Sequence, residues 1–239
     1  MKWWRVMAVA VTVAGVLMLV SSGLGTRFGV WHYRTGLTML RYAAYVGMAA
    51  LVLCIVAALL TRAQSHGRWV LMLSLIASAA TFGVPYSLMR AARRVPPIHD
   101  ITTDTADPPA FVAIVPLRAT ATNAAEYAGD SIAALQRSAY PDIQPRTLAL
   151  SPLDAFDRAV IAAQAMGWEI VAGDSPSGRL EATATTTWFG FKDDVVVRIR
   201  AAGSGSIVDV RSVSRVGRSD VGANAARIRS YFAELTRSR

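Results

Sequence analysis

The chain has 239 residues, a formal charge of +9 at pH 7 and a single cysteine, and 53% of its residues are hydrophobic. All sixteen acidic residues follow residue 99, beside fifteen of the 25 basic ones, so the excess positive charge belongs to the first 99 residues. Because the positive charge is confined to the first half and the second half is nearly neutral, the net charge does not indicate a nucleic-acid-binding protein. One cysteine also excludes an internal disulfide.

The first half carries three uncharged, largely apolar stretches, at residues 6–26, 42–61 and 69–89. Each has about the ~20 residues that a helix needs to cross a bilayer. Tryptophan and tyrosine residues flank them, as is typical of the membrane interface. The first stretch could also be a signal peptide, but its length and the lack of a small-x-small cleavage pattern favour an anchor. Residues 1–94 are therefore predicted to be a membrane segment with three transmembrane helices.

The basic residues beside these stretches bear on topology. Three spans put the two ends of the segment on opposite faces of the membrane. One face would hold four basic residues and the other face six: Lys2, Arg5, Arg62 and Arg68, against Arg27, Arg34, Arg41, Arg90, Arg93 and Arg94. Taken alone, this count favours a cytoplasmic location for the rest of the chain.

Residues 97–239 form the predicted soluble domain. Residues 98–111 are rich in turn-forming residues, and residues 123–138 are weakly helical in pattern. Ser151-Pro152 followed by Asp154 predicts a capped helix that ends at Gly167, and a second amphipathic helix is predicted to start at 220–224 and end near 236. Between the helices, alternation of apolar and polar residues predicts four strands, at 168–173, 179–189, 195–202 and 207–216.

The links between these strands are short, which suits antiparallel hairpins. We therefore predict an α+β fold, in which three transmembrane helices precede a roughly four-stranded antiparallel sheet packed against two or three helices. One face of that sheet is apolar. The other carries alternating charges, which favour ordinary cross-strand ion pairs, with an arginine-rich binding surface as the alternative.

Candidate catalytic and metal-binding residues are few in the predicted domain. His99, Asp100, Asp104 and Asp107 are close in sequence, but aspartate is common in turns of this composition, and the domain has no second histidine. No serine has the GxSxG context of a hydrolase, and Asp193-Asp194 are expected to form a hairpin turn. The sequence predicts neither a metal site nor a cofactor.

The loop RSDVGAN, residues 218–224, lies between the last predicted strand and the last helix. Asp220 or Ser219 can accept hydrogen bonds from the free N–H groups at the start of that helix. The same N–H groups, with Arg215, Arg218 and Arg227 nearby, would also suit an anionic ligand. Because a carboxylate there would repel an anion, capping is the favoured role of Asp220.

Several motifs of the domain occur in a fixed order: IHDITTDTADPPAF (98–111), AYPDI (139–143), DAFDRA (154–159), GWEIV (167–171), RLEATATTTWFGFKDDVVVRI (179–199) and DVRSVSRVGRSDVGANAARI (209–228). The series closely resembles the family known as domain of unknown function 1499. The resemblance implies no activity and no catalytic residues. Its members often carry signal peptides, lipid attachment signals or membrane segments, which implies a periplasmic domain and outweighs the charge count.

These observations predict a multi-pass protein of the bacterial inner membrane with a periplasmic, non-enzymatic binding or interaction domain. The expected partners are membrane lipids and an envelope protein or anionic ligand, not nucleic acid. The expected contact residues are Glu181, Arg198, Arg211, Ser214, Arg215, Asp220 and Asn224. Two alternatives are an envelope hydrolase that uses Glu181, Asp209 or Asp220 as acid or base, and a membrane assembly protein whose spans are the functional part.

Overall fold

The structure is a computed structural model that describes residues 3–60 and 68–237. Residues Lys2, Thr61 and Arg62, which the predicted spans and the charge count include, lie outside the described residues. The chain forms two compact units. The first comprises Met1–Ala91 with Thr187–Gly190, and the second comprises Ala92–Thr186 with Phe191–Arg239.

The first unit contains three long helices, α1 (Trp3–Arg27), α2 (Tyr33–Leu60) and α3 (Arg68–Ala92). All three are long and apolar enough to cross a membrane, which confirms the prediction of three apolar helices. Helices α1 and α3 extend by up to three residues beyond the uncharged stretches that predicted them, and α2 begins nine residues earlier than its stretch, at Tyr33, because helical backbone continues into the polar flanks.

Small residues form the buried contacts of these helices. Ala8, Gly15, Gly47 and Ala50 are buried, and such residues let helix backbones approach closely where there is no hydrophobic driving force between helices. Other buried positions are polar. The hydroxyls of Thr12 and Ser78 lie 2.9 Å apart, and the Thr12 hydroxyl also contacts the Cys54 sulfur at 3.7 Å.

Thr187–Gly190, the tip of a hairpin in sequence, groups with the three helices. The Trp188 indole donates a hydrogen bond to the carbonyl of Val20 at 3.4 Å. The same ring packs against Gly23, where any larger side chain would clash with it. Phe189 lies edge-on to Trp188, with ring centroids 5.1 Å apart, and is buried. Trp188 therefore has a packing role.

The second unit is built on an antiparallel sheet. Its strands are β1 (Asp100–Thr102), β2 (Arg146–Leu148), β3 (Glu169–Asp174), β4 (Arg179–Thr185), β5 (Lys192–Ala202) and β6 (Gly205–Ser214). The spatial order is β1-β6-β5-β4-β3, and β2 also pairs with β6. The four predicted strands are β3 to β6, joined as a meander, and the α+β class is confirmed.

Three helices complete this unit: α4 (Asp130–Ala139), α5 (Pro152–Ala165) and α6 (Ala223–Leu235). The Ser151 hydroxyl caps α5 by accepting a hydrogen bond from the Asp154 N–H, as predicted. Helices α5 and α6 cover the apolar face of the sheet. Their side chains share one core with alternate residues of β4, β5 and β6: Leu180, Ala182, Ala184, Val195, Val197, Ile199, Val208 and Val210.

The opposite face of the sheet is covered as well. A segment without long helices or strands, residues 103–127, crosses it and includes only one short 3₁₀ helix, Val115–Arg118. Phe111 and Ile114 of this segment pack on Val196 and Val213 of the sheet. We call residues 103–127 the covering segment.

The sheet has two strands beyond the four predicted. β1 and β2 are three-residue strands, too short to show alternation, and both pair with β6. Other local predictions were wrong. Residues 123–129 precede α4 and are not helical. Asp193 and Asp194 do not form a turn: they lie within β5, opposite Ser214 and Val213 of β6, because arginines from distant segments neutralise both carboxylates.

Candidate functional site

The predicted contact residues lie in two separate places. Four of them lie on the face of the sheet beneath the covering segment: Glu181, Arg198, Arg211 and Arg215. Ser214 alternates with Arg211 and Arg215 along the chain and therefore lies on the opposite face, beneath the helices. It accepts a hydrogen bond from the Asn224 side chain in the first turn of α6, and the Asn224 N–H is bonded to Asp220. The structure therefore divides these residues into two groups, described in turn.

Arg211 makes a buried ion pair on the covered face. Its guanidinium donates to both carboxylate oxygens of Asp100, at 3.0 and 2.7 Å, and both side chains are buried. It also donates to the carbonyls of Pro109 and Ala125, both in the covering segment. Such bidentate, charge-assisted contacts fix position as well as adding energy. Arg211 thus joins β1, β6 and the covering segment.

Aromatic rings lie on the Arg211 guanidinium. Its centre is 5.2 Å from the Phe111 ring centroid and 5.4 Å from that of Tyr127, within the range of cation–π contacts. Burial raises the pKa of the Tyr127 phenol to about 12, and the negative charge of Asp100 acts in the same direction. Tyr127 therefore stays neutral at physiological pH.

Asp194 is the centre of a second buried cluster. Its carboxylate accepts hydrogen bonds from Arg118 at 2.6 Å, from Arg215 at 2.8 and 2.9 Å and from the Thr183 hydroxyl at 2.8 Å. Arg118 also donates to the carbonyl of Asn123. Two guanidinium groups therefore bind one carboxylate, and this cluster fixes the end of the 3₁₀ helix to the sheet.

Glu181 binds the backbone of the covering segment. Its fully buried carboxylate accepts the N–H groups of Val112, Ala113 and Ile114 at 2.9, 3.2 and 2.9 Å, and Arg179 lies 3.2 Å away. Three consecutive N–H groups thus point at one negative charge, and both carboxylate oxygens accept hydrogen bonds within the protein.

Arg198 lies in a more exposed network at the edge of the covering segment. It contacts Asp104 at 3.2 Å, Asp107 at 2.8 Å and the buried carboxylate of Asp209 at 3.0 Å. Arg200 also reaches Asp209, at 2.9 Å. The cross-strand ion pair of Arg198 and Asp209, which the alternating charges favoured, is confirmed.

These contacts also explain the candidate metal ligands. Asp100 is bonded to Arg211, and Asp104 and Asp107 are bonded to Arg198, so arginine occupies the position that a cation would take. Among residues 3–60 and 68–237, no group of three or more histidine, cysteine, aspartate or glutamate side chains is placed to hold a metal ion.

The second group lies where α6 begins. The Ser212 hydroxyl donates to the Asn224 amide oxygen at 2.7 Å, while the Asn224 amide nitrogen donates to the Ser214 hydroxyl at 3.1 Å and to the carbonyl of His99 at 2.9 Å. Arg227, one turn later on α6, donates to Ser212, Asn224 and Asp193. We call Asp193, Ser212, Ser214, Asn224 and Arg227 the α6 cluster.

Asp220 caps α6, as the sequence favours. Its two carboxylate oxygens accept the N–H groups of Gly222 at 2.9 Å and Asn224 at 2.7 Å. Val221 and Gly222 both have positive φ angles, 56° and 83°, a geometry that suits glycine and is strained for valine. Burial raises the pKa of Asp220 against the effect of these N–H groups, and the nearby charge of Asp193 raises it further.

A surface cavity of about 290 Å³ adjoins the α6 cluster. Among the residues that the structure describes, Arg227 is the one charged residue that lines it, and the hydroxyl-bearing residues Thr185, Thr186 and Ser230 line it together with Trp168. The full lining consists of Met166, Gly167, Trp168, Ala184, Thr185, Thr186, Ala223, Ala226, Arg227 and Ser230. This cavity and the α6 cluster are the candidate functional site.

Sequence reasoning missed two residues that hold distant segments together. Arg118 and Gln136 were not among the candidates, although Arg118 bonds Asp194 and Gln136 bonds the backbone of Thr102 in both directions, at 3.0 and 2.6 Å. Asp194 lies 76 residues from Arg118 in the chain, and Thr102 lies 34 residues from Gln136. The only local signal was the unusual pair Asp193-Asp194 inside a strand, which demands nearby cations.

A comparison with protein families matches residues 100–235, more than half of the chain, to the family described as "Protein of unknown function (DUF1499)". Among curated proteins, none matches the chain. The matched region begins at β1 and ends at the last residue of α6, so it covers the whole sheet and all helices that pack on it. The chain therefore belongs to this family of unknown function, with three candidate membrane-spanning helices preceding the family domain.

Proposed function

We propose that the chain is a multi-pass protein of the bacterial inner membrane whose α+β domain lies in the periplasm. There the domain would bind an envelope component without catalysing a reaction. The ligand group would be a carboxylate or phosphate that reaches Arg227 in the cavity beside α6. The spans support the membrane location, and the resemblance to proteins with export signals supports the periplasmic side.

One observation carries the preference for binding over catalysis. The carboxylates of Glu181, Asp194 and Asp209 are fully buried, and each is bonded to arginine or to backbone N–H groups. A catalytic acid or base must instead reach a substrate and exchange a proton with it. Carboxylates held in this way stabilise a rigid domain, on which the open cavity beside α6 is the place for a ligand.

Arg227 and the hydroxyls define the chemistry of that cavity. A guanidinium beside hydroxyl groups suits the oxygen atoms of a carboxylate or phosphate. The Trp168 ring and the methyl groups of Ala223 and Ala226 supply apolar contact to the rest of the ligand. The volume is near the lower end of ordinary ligand sites, so a headgroup or a single side chain would fill it.

Native mass spectrometry of the full chain, extracted from bacterial envelope membranes, tests the proposal. Ala226→Trp places a large ring in the cavity, whereas Ala233→Trp changes another exposed position of the same helix outside the cavity. We expect a retained ligand or partner with the parent chain and with Ala233→Trp, and its loss with Ala226→Trp. Equal retention by both variants, or no bound mass in the parent, would contradict the proposal.

The periplasmic location has its own test. Alkaline phosphatase fused to the C-terminus is expected to be active, and a fluorescent protein that matures only in the cytoplasm is expected to stay dark. The opposite pair of results would place the domain in the cytoplasm, in agreement with the count of basic residues beside the spans.

A hydrolase remains the second candidate function because of Asp220. Its pKa, raised by burial and by the charge of Asp193, is typical of catalytic carboxylates. Hydrolysis of chromogenic esters, phosphoesters and glycosides by the full chain, lost on Asp220→Asn but kept on Asp142→Asn, would support this function. Asp142 is a suitable control because it forms an exposed ion pair with Arg229.

A further inference from the structure

The covering segment has an exposed aliphatic stretch. Val112, Val115 and Leu117 are 53%, 44% and 50% exposed, and Pro116 between them is exposed too. No charged residue occurs from Pro108 to Leu117. Single exposed apolar residues are ordinary, but three large ones within six residues form a patch. We call residues 112–117 the aliphatic loop.

The domain holds this loop in one position. Phe111 and Ile114 point inward and are buried, so the exposed side chains between and after them point outward. At one end, the Glu181 carboxylate binds three consecutive N–H groups. At the other end, Arg118 is bonded to Asp194 at 2.6 Å. The patch is therefore preorganised, with little conformational entropy left to lose on binding.

The backbone N–H groups of the loop are satisfied within the protein. The N–H groups of Val112, Ala113 and Ile114 bind Glu181, while the Val115 and Leu117 N–H groups bind the carbonyls of Val112 and Ile114. The carbonyl of Leu117 accepts a hydrogen bond from Arg215. Transfer of backbone into hydrocarbon is costly when such groups lack partners. In this loop that cost is largely removed in advance.

We propose that the aliphatic loop inserts Val112, Val115 and Leu117 into the surface of the bilayer that the three helices cross. Val112 follows the end of α3 at Ala92 by only twenty residues, so the domain is permanently close to a membrane. Such tethering converts a weak contact into a persistent one through effective concentration. This inference does not depend on the cavity beside α6.

The composition of the patch favours lipid over a partner protein. Protein–protein contacts that carry much binding energy are enriched in tryptophan, tyrosine and arginine, with leucine and valine under-represented. Here the exposed groups are branched aliphatic side chains and a proline, without an exposed hydrogen-bonding side chain among them. Hydrocarbon requires no directional contacts and accepts such a surface.

Environment-sensitive fluorescence of the full chain in lipid vesicles tests insertion. A Cys54→Ala background removes the native thiol, and single cysteines at Val115→Cys or Leu117→Cys then carry the NBD fluorophore. Leu153→Cys is the matched control, since Leu153 is an exposed aliphatic residue (61%) at the start of α5. We expect blue-shifted emission at positions 115 and 117, quenched several-fold more than at 153 by lipids with spin-labelled acyl chains.

The vesicle composition separates the possible outcomes. Because the loop carries no charge, insertion is expected in phosphatidylcholine vesicles and to the same extent with added phosphatidylglycerol. Emission at 115 and 117 as solvent-exposed as at 153 would overturn the proposal, and so would insertion that appears only with the anionic lipid. Protection from water without quenching by the lipid chains would indicate a protein partner and would also overturn it.

Discussion

The two faces of the sheet in the second unit are both buried, but different interactions bury them. Under α5 and α6, alternate residues such as Leu180, Val197 and Val208 join one apolar core. Under the covering segment, arginine–carboxylate contacts alternate with the small cluster of Phe111, Ile114, Val196 and Val213. Regular helices cover the apolar face, whereas an irregular segment covers the charged one.

The difference shows how an irregular segment can be given a unique position. Apolar contact is non-directional, so a segment without repeating structure could shift across an apolar face at little cost. Guanidinium–carboxylate geometry is directional, and a shifted segment would leave buried charges without partners. Arg211, Arg118 and Glu181 each bind backbone groups of the covering segment, so the charged face specifies its course.

The largest effect is expected from breaking the buried ion pair of Arg211 and Asp100. Arg211→Leu leaves the Asp100 carboxylate buried without its partner, which typically destabilises a protein by about 3–5 kcal/mol. Arg229→Leu is the matched control, because Arg229 and Asp142 form an exposed bidentate pair expected to contribute less than about 1 kcal/mol. Urea unfolding of the full chain in detergent, followed by tryptophan fluorescence, measures both; equal losses would contradict the comparison.

Glu181→Gln should have the next largest effect. The amide offers one acceptor oxygen and no charge to the three N–H groups, so a loss of about 2–3 kcal/mol is expected. The exposed Glu169→Gln change, on β3, should be nearly neutral. Hydrogen exchange adds a local readout: amides 112–114 should lose protection in Glu181→Gln. Unchanged exchange there would show that other contacts hold the covering segment.

How far these features follow from sequence differs between the two faces. Alternation in 179–185 and 195–202 predicts the apolar face, because a period of two directly reports which side chains share a side of a strand. For the charged face, the sequence identifies the charged residues but not which of them pair. Its pairing depends on Arg118 and Asp100, which reach Asp194 and Arg211 across 76 and 111 residues. No local pattern encodes such long-range partners.

The candidate site was predictable to the same limited degree. The RSDVGAN loop predicts the capping role of Asp220, since N–H groups at the start of a helix are a local feature. Alternation along the strand places Ser214 on the face that the helices cover, opposite Arg211 and Arg215. The expected contact residues nevertheless included residues from both faces of the sheet. The sequence places Arg227 near this loop, but its contacts with Ser212 and Asp193 depend on how α6 packs against β5 and β6.

The apolar face should tolerate a small change more readily. Ile228→Val removes one buried methylene from α6 and should cost about 1 kcal/mol. Ile161→Val on the partly exposed side of α5 should cost clearly less, because Ile161 is 46% exposed. The same urea unfolding experiment measures both. A loss on Ile228→Val as large as that on Arg211→Leu would mean that the two faces do not differ in tolerance.

The smallest effects should appear in the pH dependence of stability, where two aspartates are expected to act in opposite directions. Burial raises the pKa of Asp220 in the folded state, so the folded chain binds its proton more tightly than the unfolded chain does. The favourable contribution of protonated Asp220 is present below its unfolded pKa, and it is lost as the pH rises through the folded pKa. Asp220→Asn should therefore gain stability relative to the parent as the pH rises through this window.

Asp142 has the opposite sign because hydrogen bonds from Arg229 lower its pKa in the folded state. Its contribution is present above the unfolded pKa and is lost as the pH falls through the folded pKa, so Asp142→Asn should lose stability relative to the parent as the pH rises. Unfolding free energies of the two variants and the parent, measured from pH 3 to 7, give the two slopes. Slopes of the same sign would show that burial does not dominate at Asp220, and that the start of α6 is as open to solvent as the surface pair.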